Sequence, residues 1–155
     1  MFHTVIELME RVGKKPVRVL KDIPGFLGNR LQHALWREAI SLVEKGIATP
    51  EDIDRVVKYG FGLRLPFIGP LETADLAGLD LVYDIHKYLF SDLENRSTPS
   101  PLLKTLLDQK ATGVKSKKGF YHWTDERTKQ IIHQRDKALL KITEVIKGLN
   151  RENKQ

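Results

Sequence analysis

The sequence predicts an all-α fold, an antiparallel helical bundle, and three observations carry that prediction. From residue 26 onward, apolar residues return at helical spacing in one segment after another. The breaks between segments carry helix-start chemistry, at Thr49-Pro50-Glu51-Asp52, Gly69-Pro70-Leu71-Glu72 and Ser100-Pro101. Only one stretch alternates like a strand, and a single strand has no sheet to join. With 155 residues, 41% hydrophobic and 30% charged, the chain is long and apolar enough for one domain with a core.

Residues 3–12 read as a short amphipathic helix with Val5, Ile6, Met9 and Val12 on one side, stopped by Gly13. Pro16-Val17-Arg18-Val19-Leu20 is the strand-like stretch. A helix followed by a lone strand looks like the last unit of an α/β domain whose other strands are missing, so residues 1–21 read as a remnant. Asp22-Ile23-Pro24-Gly25-Phe26 then makes a turn. Pro24 fixes its own φ and extends Ile23, and Gly25 permits a backbone angle that other residues avoid.

That turn feeds a long helix from about Phe26 to Lys45. Leu27, Leu31, Ala34, Leu35, Leu42 and Val43 fall largely on one face of it. Asn29 and Arg30 sit in its first turn, near free backbone N–H groups and the positive end of the helix dipole. Asn29 there can meet a substrate oxygen, or it can help close the helix start through local hydrogen bonds. Gly46 ends the helix. Thr49 caps the next one, which carries Ile53, Val56 and Val57 and is broken by Gly60 and Gly62.

Residues 62–70 form a compact loop. Pro70 opens a helix in which Asp75 shares a side with Leu71 and Gly78, where apolar packing is expected; if buried, Asp75 needs a partner such as a helix N-terminus or Arg64, and it reads as structural. Leu79–Leu93 follows with Leu81, Val82, Ile85, Tyr88 and Leu89 on its apolar face, and His86 among them reads as a packing or surface residue. Asn95–Pro101 is a polar connector. Leu102, Leu103, Leu106 and Leu107 give the next helix its buried side. Gly113–Gly119 is a basic loop, and Gly119-Phe120-Tyr121-His122-Trp123 an aromatic plug. Thr124-Asp125-Glu126 starts a last helix running to about Gly148, with Asn150–Gln155 frayed.

Charge and motifs exclude several classes. The formal net charge of +6 suits nucleic acid, an anionic ligand such as a coenzyme A phosphate, or solubility alone. No zinc-finger spacing or RNA-binding motif accompanies it, so no nucleic-acid partner is expected. There is no cysteine, which removes disulfides and cysteine metal sites and favours a cytoplasmic location. No apolar run approaches the roughly 20 residues of a membrane span, so no membrane partner is expected. Histidines 3, 33, 86, 122 and 133 show no metal-ligand spacing. No glycine-rich dinucleotide fingerprint, phosphate loop or Gly-x-Ser-x-Gly appears, so no cofactor-binding or metal residue is assigned.

At this point the residues carry a family likeness. Gly13-Lys14-Lys15-Pro16-Val17, then Asp22-x-Pro24-Gly25-Phe26-x-x-Asn29-Arg30, resembles the interdomain junction of 3-hydroxyacyl-CoA dehydrogenases. Glu38-Ala39, Glu44-Lys45-Gly46, Ala48 to Asp54, Gly69-Pro70-Leu71-Glu72, Asp75, Gly78-Leu79-Asp80 and Gly119-Phe120-Tyr121 continue it in the family's order. The likeness covers residues 4 to 123. It implies the all-α C-terminal half of the family, of the 6-phosphogluconate dehydrogenase C-terminal-like type, at residues 22–123. Residues 1–21 would be the last helix and strand of the NAD-binding domain, and 124–155 a helical extension that short-chain members lack.

The resemblance implies NAD-dependent oxidation of a 3-hydroxyacyl-CoA to the 3-ketoacyl-CoA, in fatty acid metabolism (β-oxidation). The substrate is an acyl-CoA, and the C-terminal half makes a homodimer. The family's catalytic His and Glu, and its NAD site, would lie upstream of Met1, so the chain alone is expected to be catalytically silent. Asn29 matches the family asparagine that orients base and substrate, and Phe67, Pro70 and Leu71 become candidates to line the acyl pocket. Relatives with C-terminal extensions include dehydrogenases of free 3-hydroxy acids of the carnitine or gulonate type, which is the alternative substrate class. A stand-alone helical dimerisation module is the alternative outside catalysis.

Overall fold

The computed structural model describes the backbone of residues 2–152 and the side chains of residues 4–149. The fold is all-α. Among the described residues the helices are α1 (Phe2–Arg11), α2 (Gly28–Glu44), α3 (Pro50–Tyr59), α4 (Pro70–Ala77), α5 (Leu79–Leu89), α6 (Pro101–Asp108) and α7 (Asp125–Glu152). Short 3₁₀ turns occupy Phe61–Leu63 and Val114–Ser116. The chain divides into two compact units, the change falling between Trp36 and Arg37 inside α2.

In the first unit α1 ends where Gly13 donates its N–H to Glu10 O at 2.9 Å. The expected strand at 16–20 does not form: no strand appears among the described residues. Val17 and Leu20 stand in solvent. Alternating β-branched residues make a strand only when a neighbour completes the hydrogen-bond ladder, and no ladder partner is found among the described residues. The turn at 22–26 is present. Gly25 has φ 80° and Phe26 φ 47°, two left-handed residues in succession, and Phe26 N–H bonds back to Ile23 O at 3.0 Å. The pair swings the chain round to begin α2 at Gly28, two residues after the expected start.

In the second unit the helix starts are built as their sequences imply. Thr49 Oγ1 accepts the Asp52 N–H at 3.2 Å, and Pro50 takes the first helical position of α3. Glu72 reaches back from α4 to accept the Gly69 N–H at 2.7 Å. Ser100 Oγ accepts the Leu102 N–H at 3.1 Å at the head of α6. Thr124 Oγ1 accepts the Arg127 N–H at 3.1 Å and opens α7. Helix α7 passes the expected stop at Gly148 and reaches Glu152; residues 153–155 of the expected frayed end lie outside the described residues.

Gly60 and Gly62 turn the chain off α3 at a separation only glycine allows. A Cβ at either would stand 2.4 Å from a carbonyl oxygen of α3, that of Val56 or Val57. The following loop, residues 61–69, is thereby folded back against the helix that precedes it.

The expected core is largely absent within this chain. Among the described residues only Ala111 and Ser41 are fully buried. Leu102, Leu103 and Leu106 are half-buried, while Leu81, Tyr88 and Leu107 are exposed. Asp75, which would need a partner if buried, is exposed on the short helix α4. The helices thus have the apolar faces their periodicity predicts, without a layer over them.

Candidate functional site

Asn29 is the second residue of α2 and is exposed. The turn that precedes it folds over its stem: a Cβ on Gly25 would lie 3.5 Å from Asn29 Cβ and 3.5 Å from Arg30 Cγ. Arg30 Nη1 points back to Pro24 O at 3.5 Å, a long contact. Among the described residues Asn29 makes no side-chain hydrogen bond, so it does not close the helix start. Its amide therefore offers one acceptor and two donor hydrogens to solvent or to a ligand, and no proton that titrates near neutrality.

Phe67, Pro70 and Leu71 lie in the second unit, on the loop and first turn after the 3₁₀ segment. All three are exposed, Leu71 to 81% and Phe67 to 54%. Phe61, Leu63 and Leu65, just before them in the chain, are exposed too, and Gly60 and Gly62 hold the 3₁₀ turn close to α3. Exposed apolar side chains of this kind can receive an apolar ligand or another protein surface. Asn29 belongs to the other unit.

A polar cluster that sequence reasoning missed ties α2 to the segment after α5. Ser41, 2% exposed, donates its hydroxyl to Glu94 Oε2 at 2.9 Å. Glu38 Oε2 accepts the Glu94 N–H at 2.7 Å. Arg96 joins two carboxylates: Nη1 bonds Glu44 Oε2 at 3.0 Å and Nη2 bonds Glu94 Oε2 at 2.9 Å. Ser100, while capping α6, donates to Glu44 Oε2 at 2.6 Å. These bonds hold both acids as carboxylates. The Arg96 guanidinium, then its backbone N–H and Ser41, bring the Glu94 carboxyl down to about 2. Ser100, followed by Arg96, lowers Glu44. Groups locked in one charge state near neutrality are poor acid–base catalysts, so this cluster reads as a clasp.

A second missed contact joins the aromatic run to α3. Tyr121 Oη donates to Asp54 Oδ2 at 3.0 Å, and partial burial followed by that bond pushes the phenol up to about 12. Tyr121 and Trp123 meet edge-to-face at 6.1 Å. The Arg127 guanidinium sits 5.1 Å from one ring centroid and 5.3 Å from the other. Lys117 pairs with Asp125 nearby. The expected aromatic plug is thus a bracket for the start of α7, with Phe120 and His122 left exposed.

Other chemistry is sparse. Among the described residues no three His, Asp or Glu side chains gather where they could hold a metal ion. His86 stacks on Phe90 at 4.0 Å, a local packing contact. Among the described residues no helix is long and apolar enough to cross a membrane.

Comparison with known proteins gives this arrangement a context. Residues 25–123 match the family model described as 3-hydroxyacyl-CoA dehydrogenase, C-terminal domain. The chain is 37% identical over 145 residues to the 5-formyl-3-hydroxy-2-methylpyridine 4-carboxylate 5-dehydrogenase of Mesorhizobium japonicum, across 94% of this chain and 47% of that protein. To an L-carnitine dehydrogenase of a Pseudomonas species it is 34% identical, across 93% of this chain and 47% of that one. Lambda-crystallin of Oryctolagus cuniculus is 56% identical over 69 residues, 44% of this chain and 22% of its own. The crystal structure of a 5-formyl-3-hydroxy-2-methylpyridine 4-carboxylic acid 5-dehydrogenase, described as an NAD+-dependent dismutase, superposes with a TM-score of 0.90 at 37% identity, over 94% of this chain and 47% of that one. The chain thus spans about half the length of the relatives it matches most fully, and most of α7 falls within the match.

Proposed function

Because this chain belongs to the 3-hydroxyacyl-CoA dehydrogenase family, as its C-terminal domain, we propose that it is the substrate-binding and dimerisation half of an NAD-dependent dehydrogenase acting on a free hydroxy acid. One observation carries the choice of substrate. The Mesorhizobium and Pseudomonas dehydrogenases, matched over 93% or more of the chain, are named for a free carboxylic acid and for L-carnitine, and neither name is a CoA thioester. Oxidation of a 3-hydroxyacyl-CoA, as in β-oxidation, is the competing reading, and the family's own description favours it.

In this reading an upstream half of a longer protein would hold NAD+, which would supply the acceptor for the hydride on the substrate carbinol carbon, and that half would carry the base that receives the hydroxyl proton. This chain's part is positioning. Asn29, open at the head of α2, donates its amide N–H to the oxygen that changes from hydroxyl to carbonyl and accepts a hydrogen bond that orients the base. Phe67, Pro70 and Leu71 offer apolar surface to the substrate body. Two copies associate through the uncovered helix faces.

The test uses this chain and a longer protein carrying an NAD-binding half upstream of it. With NAD+, the chain alone turns over neither L-carnitine, 3-hydroxybutyrate nor 3-hydroxybutyryl-CoA above background. The longer protein shows kcat/KM at least tenfold higher for a free acid than for the thioester. In it, Asn29→Ala lowers kcat by roughly 10²- to 10³-fold, the range for loss of one polarising donor, with folding unchanged by circular dichroism. Preference for the thioester would overturn the substrate assignment, and an unchanged kcat would remove Asn29 from the site.

A further inference from the structure

Helix α7 is the long element that the neighbouring helices do not account for. It is 28 residues long, about 42 Å at 1.5 Å per residue. Every residue from 131 to 140 is exposed. Most of its apolar residues keep a seven-residue repeat: Ile132, Leu139 and Ile146 fall seven apart, Ile142 and Leu149 each come three residues after one of them, Arg135 takes the corresponding place in the first repeat, and Leu140 stands outside the pattern. Ile131, Ala138 and Val145 widen the same stripe, also seven apart. Such a stripe is the apolar face of an amphipathic helix, and a 3.5-residue repeat suits a helix as its partner, because it keeps the seam in register along both.

We propose that α7 is a pairing helix whose seam of Ile132, Leu139, Ile142 and Leu149 docks against α7 of a second copy of this chain. The repeat selects a helix as the occupant, and a second copy presents the same seam, which is what a two-fold interface requires. Area supports it. Partly exposed side chains of this size leave roughly 50–100 Å² each, so the stripe offers about 600 Å² per copy before its polar rim is counted, close to the ~800 Å² per partner of a stable interface. Arg135, the one charge in the seam, is neutralised by Asp136 Oδ1 at 2.8 Å, so the stripe carries no net charge that would repel its twin. The proposal deepens the dimer part of the reading above, giving the C-terminal extension a role in it.

The absence of cysteine in the natural sequence makes the test clean. Single variants Leu139→Cys, on the seam, and Lys137→Cys and Glu144→Cys, on the outer face, are treated with a short bis-maleimide at micromolar full-length chain. Covalent dimer forms at Leu139→Cys at least tenfold faster than at either outer position. Leu139→Lys, a change at a half-exposed site that the fold tolerates, lowers the mass seen by light scattering toward the monomer. Equal or absent cross-linking at the three positions overturns the proposal. If the chain is nonetheless dimeric by light scattering, dimerisation stands and only the role of α7 falls. A monomer throughout removes both.

Discussion

Glu94 shows how much a single side chain can organise here. Its carboxylate takes the Ser41 hydroxyl and the Arg96 guanidinium, and its backbone N–H goes to Glu38. Because its folded titration point is about 2 against an ordinary 4.5, it contributes stability that is fully present above about pH 4.5 and lost as pH falls toward 2. Urea midpoints measured from pH 6 down to 2 should fall in the native chain, and Glu94→Gln, with no carboxylate to protonate, should fall less steeply. Parallel curves would show that the clasp does not carry the acid sensitivity. The clasp was not legible in the sequence, since its halves are separated by more than fifty residues: |i−j| is 53 between Ser41 and Glu94 and 56 between Glu44 and Ser100. One trace was there to be read, in Glu38, Ser41 and Glu44 following one another at three-residue spacing along one side of α2. Asn29 was readable by position, because a turn of proline and glycine feeding a helix fixes which residues occupy its first turn.

Helix starts follow from local chemistry, and four of them fall where the sequence puts them; ends are less well marked, since α5 stops at Leu89, short of the expected Leu93, and α7 runs past Gly148. Thr49-Pro50, Gly69-Pro70, Ser100-Pro101 and Thr124-Asp125 each open a helix where expected. Thr49→Ala should cost about 1 kcal/mol, the ordinary worth of such a cap, and Ser100→Ala should cost more, because Ser100 also satisfies Glu44 across the clasp. Chemical denaturation of both variants decides it; equal losses would mean the Ser100–Glu44 bond adds nothing to the cap. The strand at 16–20 failed for the opposite reason. A helix satisfies its own backbone, whereas a strand needs a neighbour that this chain does not supply.

Over the whole molecule, the outstanding property is how little is buried. A 155-residue chain with 41% hydrophobic residues ordinarily removes about two thirds of its surface from water, yet here Ala111 and Ser41 alone are fully covered among the described residues. The association proposed above would cover these faces. The melting temperature should therefore rise with protein concentration over the micromolar range, as for any fold completed by a second copy. A concentration-independent melt together with a monomer mass would show that one chain is a finished unit.

The sequence by itself determined the helical class, the helix starts, the place of Asn29 and the family likeness, because each depends on residues within a few positions of one another. Only the tertiary structure decided that the clasp exists, that Tyr121 and Arg127 bracket α7 instead of plugging a core, and that the apolar faces stay open. Periodicity marks which side of a helix avoids water, but what comes to cover that side depends on surfaces distant along the chain or outside it.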